Sequence, residues 1–395
     1  MDTDESPRSV KLAKLEPLVI NVSSRTNWFF IRLTTDTGVS GVGEASLNGW
    51  EPLQIAFAQM LAGEMVGQPL EHWSRYARVF PHGAGGLVAA SVCSAVEQAA
   101  TDIRAKLANK PVHAFLGGAL RESVRIYANI NRRTRDRSPG GFAKSARDAV
   151  QIGFDAIKIA PFDGVIWEDF SGADARKKLN LGLDRVFAAR EAIGPDVDLM
   201  VDCHWRFDEP TAASVLRELS AAKLFWLECP ISEQPEHWPA LARLRALANE
   251  YGIRLAGAET QVGVAAFQRL GSPKLFDVVM PDIKYCGGFS EMERIAAATA
   301  THGLGLAPHN PTGPVCNMAT LHACAVARNF LILEYQLAES PLYTEVVKGA
   351  EPQLIDGGFA LPNAPGIGVE LDDDVIRAHP YRPLPANANL DPRLG

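Results

Sequence analysis

Residues 198–230 read DLMVDCHWRFDEPTAASVLRELSAAKLFWLECP, and this stretch decides the fold class of the chain. Two short apolar runs, DLMVDCH and FWLECP, flank a segment whose apolar residues recur at helical spacing. A strand, a helix and a strand in this order predict parallel pairing, because parallel strands need a long connection. Each run also carries a carboxylate near its end, Asp202 and Glu228, although a strand covered on both faces should contain few polar residues.

The same alternation of apolar runs and helical patterns extends in both directions from this stretch. The apolar runs are SVRIYANI (123–130), AIKIAPF (156–162), DLMVDCH (198–204), FWLECP (225–230), RLAGAE (254–259), DVVMPD (277–282), GLAPH (305–309) and LILEYQ (331–336). Eight such units predict an α/β fold with a TIM-type (β/α)7-8 barrel, whose site lies at the carboxyl ends of the strands. A doubly wound open sheet is the alternative, but no GxGxxG follows the first strand.

Three segments are predicted along the chain. Residues 1–122 indicate an α+β domain, with antiparallel strands around a DTG turn and then a long helix. Residues 123–345 form the predicted barrel. Residues 346–395 are rich in proline and glycine, so we expect them to be irregular.

Composition argues against several classes of protein. The net charge of −7 and the lack of a Lys/Arg block disfavour a nucleic-acid partner. No apolar run reaches ~18 residues, so we expect no membrane span. The 6 cysteines form no CxxC pair, which favours reduced thiols and a cytoplasmic location.

Charged residues end nearly every predicted strand, and a closed barrel would gather them around one mouth. Asp202, Glu228 and Glu259 come from three consecutive strands. Clustered carboxylates are costly to bury without a cation, and oxygen ligands of this kind suit a hard divalent ion such as Mg²⁺. Taken singly, each carboxylate is explained equally well as a cap for the helix that follows.

Candidate acid/base groups lie on neighbouring strands. His309 ends the seventh run and Asp282 the sixth, and a carboxylate bonded to imidazole fixes its tautomer and raises its basicity. His204 is predicted to be a second acid/base group or a contact to a substrate hydroxyl, with a backbone-bonded histidine as the alternative. Lys284 follows Asp282 by two positions, and we expect a surface lysine on a loop, with a catalytic lysine as the alternative.

Several motifs together resemble one known family. VDCHWRFD, FWLECPI, LAGAET, MPDIKYCGG, APHNPTGPV and ILEYQ resemble the barrel-strand motifs of the enolase superfamily, mandelate racemase subgroup. GVGEAS and SAVEQAATDIRAKLANKPVHAFLGG resemble its N-terminal capping domain. The resemblance implies that residues 346–395 return to that capping domain. It also implies a Mg²⁺ cofactor, a small carboxylate substrate and a homo-oligomer between dimer and octamer.

Carried over by position, the resemblance assigns roles to individual residues. It implies Asp202, Glu228 and Glu259 as metal ligands, and His309 with Asp282 as the catalytic dyad. A Lys or His base acting with Mg²⁺ on an ene-diolate is the known pattern of this superfamily. Substrate contacts are then predicted at Glu334, a carboxylic acid that donates a hydrogen bond to the substrate carboxylate, and at Trp28, Trp50 and Asn310.

The last three of these contacts have structural alternatives. Trp28 and Trp50 lie in segments that, by resemblance, close over the barrel mouth, so they are either apolar walls of the pocket or packing residues. Asn310 either contacts substrate or caps the turn before Pro311.

One departure from the family pattern concerns the second barrel strand. The subgroup carries Lys-x-Lys at its end, whereas this chain has Lys158 and Ala160. Lys158 is predicted to face the substrate carboxylate and metal as an electrostatic helper, with an acid/base role as the alternative. The missing second base disfavours two-base proton transfer.

The sequence therefore favours a Mg²⁺-dependent hydro-lyase. Such an enzyme removes the proton α to a carboxylate and eliminates a β-hydroxyl, which converts a sugar acid or hydroxy acid to a 2-keto acid. A racemase or epimerase and a cis-3-hydroxyproline-type dehydratase are the alternative enzymes. A non-catalytic barrel that binds a carboxylate is the alternative of another class. Substrate identity is not fixed by the sequence.

Overall fold

The N-terminal part of the chain is a three-stranded antiparallel sheet covered by helices. The computed structural model describes residues 10–73, 86–165, 172–271, 273–349 and 352–384. The strands are β1 (Leu12–Asn21), β2 (Asn27–Thr35) and β3 (Ser40–Glu44), paired in that order. Helix Gly86–Leu107 packs on β3 so closely that a Cβ at Gly43 would lie 2.1 Å from the Ala95 carbonyl oxygen. Glycine at this position thus permits the approach of helix to sheet.

Eight parallel strands follow and pair in chain order. They are β4 (Ser123–Asn129), β5 (Ala156–Ile159), β6 (Asp198–Asp202), β7 (Trp226–Glu228), β8 (Arg254–Gly257), β9 (Val278–Val279), β10 (Gly305–Leu306) and β11 (Leu333–Gln336). β11 pairs back onto β4. The Leu306 N–H donates to Asn329 O at 2.9 Å, and the Leu331 N–H donates to Leu306 O at 2.8 Å, which joins β10 to the residues leading into β11. The predicted α/β barrel is confirmed.

Helices connect the barrel strands. They are Pro139–Ile152, Ala173–Ile193, Glu209–Glu218, Trp238–Glu250, Gly263–Gly271, Gly288–Ala300 and Pro314–Val326. Other helical segments are Glu51–Met65, Leu70–His72, Val112–Phe115, Leu219–Ala222, Pro235–His237, Leu342–Glu345 and Asp373–Ala378. The Asp208 side chain accepts from the Thr211 N–H at 2.9 Å and caps Glu209–Glu218. None of the helices in the described ranges combines the length and the hydropathy that a membrane span requires.

Buried side chains fill the barrel on both sides of its strands. A small cluster consists mainly of strand residues and forms the interior: Tyr127, Ala156, Met200, Trp226, Ala256, Val278, Met280, Ala307 and Ile332. A larger cluster joins the strands to the surrounding helices. The six cysteines are all free, five of them buried.

The C-terminal segment is more ordered than its composition indicates. β12 (Val347–Gly349) pairs with β15 (Val369–Leu371), and β13 (Leu354–Ile355) pairs with β14 (Gly358–Ala360), which also pairs with β4. The expectation of an irregular tail is therefore wrong, because β14 pairs with β4, which is distant in sequence, and β12 pairs with β15 across the β13–β14 hairpin.

The tail also contacts the N-terminal domain. The Ile367 N–H donates to Asp102 Oδ1 at 2.9 Å, and the Asn21 N–H donates to His379 O at 3.1 Å. Both contacts bring the end of the described chain back to residues of the first predicted segment. The boundaries near residues 122 and 345 stay predictions.

Two glutamates of the N-terminal domain bind the N-termini of barrel helices. Glu44 accepts the Gly313 and Cys316 N–H groups at 2.9 and 3.0 Å. Glu97 accepts the Phe289 N–H at 2.7 Å. A carboxylate at a helix N-terminus satisfies free N–H groups and interacts favourably with the helix dipole. These two contacts fix the N-terminal domain over the carboxyl ends of the last barrel strands.

A buried histidine pair predicts how stability depends on pH. His322 Nδ1 accepts the His113 N–H at 3.1 Å, so this nitrogen carries no proton. Burial, and then the nearby His113, lower the pKa of His322 from 6.5 to about 3. As the pH falls, the unfolded state therefore binds a proton at His322 at a higher pH than the folded state does. The contribution of His322 to the free energy of unfolding is complete above pH 6.5 and is lost as the pH falls below that value.

We expect His322→Asn to have a shallower loss of stability in acid than the native protein. The difference in slope should approach about 1.4 kcal/mol per pH unit. Thermal unfolding of both proteins at a series of pH values measures it. Parallel pH profiles would show that His322 is not held neutral.

Candidate active site

A cavity of about 350 Å³ opens at the carboxyl ends of the barrel strands, beneath residues of the N-terminal domain. Its walls include predicted site residues from both parts of the chain: Trp28, Lys158, Asp202, His204, Glu259, His309 and Glu334. Glu228 and Asp282 lie just behind these walls, since each is bonded to a wall residue. The fold thus brings together side chains from seven different barrel strands, β5 to β11, or the loops that follow them.

Lys158 is buried on β5 because two carboxylates surround its ammonium group. Lys158 Nζ lies 2.7 Å from Glu228 Oε1 and 2.8 Å from Glu334 Oε1, and the side chain is 1% exposed. Burial alone would lower its pKa, but the charges of Glu228 and Glu334 outweigh burial and raise the pKa well above its usual value. Lys158 is therefore charged at neutral pH, which favours the electrostatic role over that of a base.

His204 occupies a strained turn directly after β6. Its φ is 46° and that of Trp205 is 54°, in the left-handed region that residues other than glycine rarely adopt. Asp202 stabilises this turn: Asp202 Oδ1 accepts the His204 N–H at 2.9 Å, and Asp202 Oδ2 lies 3.0 Å from His204 Nε2. The turn thus places the imidazole on the cavity wall.

Among the described residues, none forms a short hydrogen bond that would compensate the charge of Glu259. Its oxygens lie 3.6 Å from His309 Nε2 and 3.9 Å from Cys229 Sγ. Burial, and then the charges of Asp202 and Glu228, raise its pKa well above the usual value. A buried carboxylate in this position needs a cation or a proton.

The predicted metal ligands are close neighbours but do not form a ready coordination sphere. Within the described part of the chain, no three His, Cys, Asp or Glu side chains are grouped tightly enough to hold a metal ion. Glu228 is instead bonded to Lys158 and to Trp226 Nε1, and Asp202 to His204. The donor chemistry nevertheless fits a hard divalent cation, because three carboxylates face one buried region and one of them is uncompensated. Asp202, Glu228 and Glu259 would hold the ion after a change of side-chain contacts.

The predicted dyad is present in the structure and includes a third group. His309 Nδ1 lies 2.8 Å from Asp282 Oδ2, and Lys284 Nζ lies 2.9 Å from the same oxygen. Burial would raise the pKa of Asp282, but Lys284 and then His309 outweigh it, so the pKa is lowered. An ionised Asp282 accepts the Nδ1–H of His309, which leaves Nε2 on the cavity side to receive a proton.

The expectation of a surface position for Lys284 is wrong. Its side chain is only 2% exposed and lines the cavity. The ion pair with Asp282 makes this burial possible, because an opposite charge compensates for lost hydration. The sequence contained one signal, the spacing of two residues from Asp282.

Glu334 is held as a carboxylate by three donors. Oε1 accepts from Asn129 Nδ2 at 2.7 Å and lies 2.8 Å from Lys158 Nζ, and Oε2 accepts the Asn310 N–H at 2.7 Å. Burial would raise the pKa of Glu334, but Lys158 outweighs it and the pKa is lowered. Glu334 is thus an acceptor here, whereas the resemblance implied a protonated donor.

Asn310 supports Glu334 and does not line the cavity. Its side chain donates to Asn317 Oδ1 and to Glu334 O, both at 3.0 Å, and the residue is 1% exposed. The predicted substrate contact is therefore replaced by a positioning contact to Glu334.

The two predicted tryptophan walls differ in placement. Trp28 lies on β2 and lines the cavity, and its indole Nε1–H has no hydrogen-bond partner among the described residues. Trp50 is half-buried before helix Glu51–Met65 and is not a wall residue, which fits the alternative of a packing residue. Leu47 and Asn48 of the same segment line the cavity instead.

Gln336 is a wall residue that sequence reasoning missed. It lies two positions beyond Glu334, and this spacing along β11 was the available signal. Its Oε1 is buried without a hydrogen-bond partner among the described residues. Trp28 and Gln336 thus both line the cavity, and each has one buried polar atom without a partner among the described residues.

Comparison with protein families gives matches over most of the chain. Residues 8–117 match the mandelate racemase/muconate lactonizing enzyme N-terminal domain, and residues 141–375 match the enolase C-terminal domain-like family. Proteins named D-galactonate dehydratase are similar as well. Those of Xanthomonas oryzae pv. oryzae and Xanthomonas campestris pv. campestris are each 30% identical over 359 residues, covering 89% of this chain and 90% of theirs.

Solved structures of similar proteins cover nearly the whole chain. A mandelate racemase/muconate lactonizing enzyme-like protein from Rubrobacter xylanophilus has a TM-score of 0.84 at 29% identity, covering 95% of this chain and 98% of that one. A Burkholderia xenovorans protein, named as a candidate L-alanine-DL-glutamate epimerase and bound to magnesium and fumarate, has a TM-score of 0.84 at 25% identity, covering 96% and 98%. The resemblance seen in the strand motifs is confirmed: the chain belongs to the enolase superfamily, with the domains of mandelate racemase and muconate lactonizing enzyme.

Proposed function

We propose that this chain is a Mg²⁺-dependent dehydratase of acid sugars. The observation that carries the proposal is the fixed positive charge of Lys158 on β5, the second barrel strand. Lys158 forms ion pairs with Glu228 and Glu334, and Ala160 occupies the position where the subgroup has its second lysine. His309, paired with Asp282, then remains as the base for the α-proton. A single base suits elimination better than two-base proton transfer.

The relatives named D-galactonate dehydratase support a sugar acid as the substrate class. The amide side chains of Asn48 and Gln336 on the cavity wall support it too. A hydroxyl group both accepts and donates hydrogen bonds, so a polyhydroxylated ligand suits a wall that carries amides.

In the proposed first step, His309 Nε2 takes the proton α to the substrate carboxylate. Asp282 Oδ2, 2.8 Å from Nδ1, stabilises the imidazolium that forms. Lys158 places fixed positive charge beside the substrate carboxylate, where negative charge develops. A divalent ion held by Asp202, Glu228 and Glu259 supplies further charge stabilisation when bound.

In the second step, the bond from the β-carbon to its hydroxyl oxygen breaks while a carbon–carbon double bond forms. The hydroxyl leaves as water with a proton from His309 Nε2, when both groups leave from one face. His204 Nε2 on the cavity wall is the alternative donor. The resulting enol then becomes a 2-keto acid, so one water molecule is lost overall.

Epimerisation is the second candidate, favoured by the similarity to the Burkholderia xenovorans protein. In that reaction Lys158 would supply or remove a proton on the face opposite His309. The ion pairs of Lys158 oppose this, because its ammonium proton is strongly held.

A panel of aldonic and aldaric acids, incubated with the protein and Mg²⁺ in deuterium oxide, tests the function. We expect 2-keto acid formation with loss of one hydroxyl, followed by proton NMR. Exchange of the α-hydrogen with the hydroxyl retained would establish an epimerase. Thermal stabilisation by a carboxylate with no Mg²⁺-dependent turnover would establish a binding protein.

The location and assembly of the enzyme are also part of this proposal. The six free cysteines support a reducing compartment, and we place the activity in the cytoplasm. A homo-oligomer between dimer and octamer is carried over from the family resemblance. Sedimentation equilibrium measures the assembly directly.

A further inference from the structure

Lys284 contacts both carboxylate oxygens of Asp282. Its backbone N–H donates to Asp282 Oδ1 at 2.8 Å, and its Nζ lies 2.9 Å from Asp282 Oδ2. Both residues belong to the short segment between β9 and helix Gly288–Ala300. A single residue thus holds the carboxylate at two points, which restricts its rotation about the bond to Cβ.

The orientation of His309 depends on that carboxylate. His309 Nδ1 lies 2.8 Å from Asp282 Oδ2, the oxygen that Lys284 Nζ also contacts. A hydrogen bond from imidazole to a carboxylate fixes both the tautomer and the direction of the ring. Rotation of the carboxylate would therefore turn the ring, and with it the Nε2 atom on the cavity side.

Burial makes the charge of Lys284 necessary to Asp282. The side chain of Asp282 is 0% exposed and that of Lys284 is 2% exposed. A carboxylate so buried remains an anion only with an opposite charge beside it. Among the described residues, Lys284 forms an ion pair with Asp282 alone, whereas Lys158 is shared between Glu228 and Glu334. The charge of Lys284 thus serves one carboxylate, the partner of the proposed base.

We propose that Lys284 is a positioning residue, which acts through Asp282 to orient His309 towards the α-hydrogen of the substrate. This inference rests on the proposed function, since it requires His309 to be the base. Lys284 also lines the cavity, so an ammonium group in its place has two other conceivable roles. It would bind the substrate directly, or it would protonate the departing hydroxyl.

A double-mutant cycle on Asp282 and Lys284 tests the inference by steady-state kinetics, with the best substrate of the acid panel. Lys284→Met is expected to lower kcat about tenfold or more and to leave KM within about twofold of the native value. In the Asp282→Asn background, the same substitution should change kcat by less than about twofold. The carboxylate through which Lys284 acts is already absent there.

Lys177→Met is the matched control for this cycle. Lys177 is exposed on helix Ala173–Ile193 and does not line the cavity, so its substitution should leave kcat and KM native. An effect of Lys284→Met that is equally large in both backgrounds would overturn the inference, because Lys284 would then act on the substrate directly. Loss of dehydration with native exchange of the α-hydrogen would overturn it as well, in favour of a proton donor. So would a native kcat in Lys284→Met.

The double variant keeps the inference testable if Lys284→Met does not fold. Each single substitution leaves one buried charge without its partner, whereas Asp282→Asn/Lys284→Met removes both charges. We therefore expect the double variant to melt at a higher temperature than either single variant. Equal kcat in Asp282→Asn and in the double variant supports the inference, and a further loss in the double variant contradicts it.

Proton NMR of the metal-free protein, with ¹⁵N-labelled histidine, separates this inference from the proposed function. The Nδ1–H of an imidazole bonded to a buried carboxylate resonates far downfield, and its loss in His309→Asn assigns the signal. We expect the signal to shift or disappear in Lys284→Met and to persist in Lys177→Met. That result supports the role of Lys284 even if no sugar acid is dehydrated. An unchanged signal in Lys284→Met would overturn that role, even if dehydration is observed.

Discussion

His309→Asn is expected to abolish exchange of the α-hydrogen with deuterium oxide and to lower kcat about a thousandfold. Asn keeps a polar side chain of smaller size but cannot accept and return a proton near neutral pH. The structure gives His309 the features of a base, with Nδ1 2.8 Å from an ionised Asp282 and the ring on the cavity wall. Proton NMR follows both exchange and product formation.

Two further variants serve as comparisons for His309→Asn. Asp282→Asn keeps the imidazole but removes the negative charge beside Nδ1, so we expect a smaller loss than for His309→Asn. His237→Asn makes the same substitution at an exposed position and should have native activity. Rapid α-hydrogen exchange retained in His309→Asn would assign the base elsewhere, with His204 and Lys284 on the cavity wall as the residues to examine.

Glu259→Gln is expected to change stability and function in opposite directions. In the metal-free protein, Glu259 is buried near Asp202 and Glu228 and has no short hydrogen bond to any residue that the structure describes. A neutral amide should therefore raise the melting temperature. In the presence of Mg²⁺, the same change removes a carboxylate ligand, so affinity for the ion should fall at least about tenfold and turnover should be lost.

Thermal unfolding in a chelator and calorimetric titration with Mg²⁺ measure the two effects separately. Glu250→Gln, at the exposed end of helix Trp238–Glu250, is the matched control and should alter neither. Chelation should also abolish turnover of the native protein, with recovery on addition of Mg²⁺. Unchanged Mg²⁺ affinity in Glu259→Gln, or activity that survives the chelator, would contradict a metal site at these carboxylates.

The barrel strands were predictable because their signal is local. Each apolar run is short, and each is followed by a helical pattern that enforces parallel pairing. Parallel pairing in chain order then sets which strand ends are neighbours, and Asp202 indeed lies opposite Glu228 in the register of β6 and β7. The grouping of Lys158, the three carboxylates and His309 follows from this regularity.

Contacts between distant segments were not predictable in the same way. Lys284 was expected at the surface and is buried by its ion pair with Asp282. The tail was expected to be irregular, yet β14 forms on β4. For Trp50 and Asn310 the sequence left a substrate contact and a structural role both open, and both residues lie off the cavity wall, because side-chain direction at a loop depends on packing that no local pattern encodes.

The sequence by itself determined the fold class, the order of the strands and the residue types at their ends, since hydrophobic periodicity and connection length act over a few tens of residues. Only the tertiary structure decided the charge state and partner of each group. Whether Lys158 is a base or a fixed cation depends on Glu228 and Glu334, which are distant in sequence and 2.7 and 2.8 Å away in space. Electrostatic energy depends on distance and burial, and both are set by the fold.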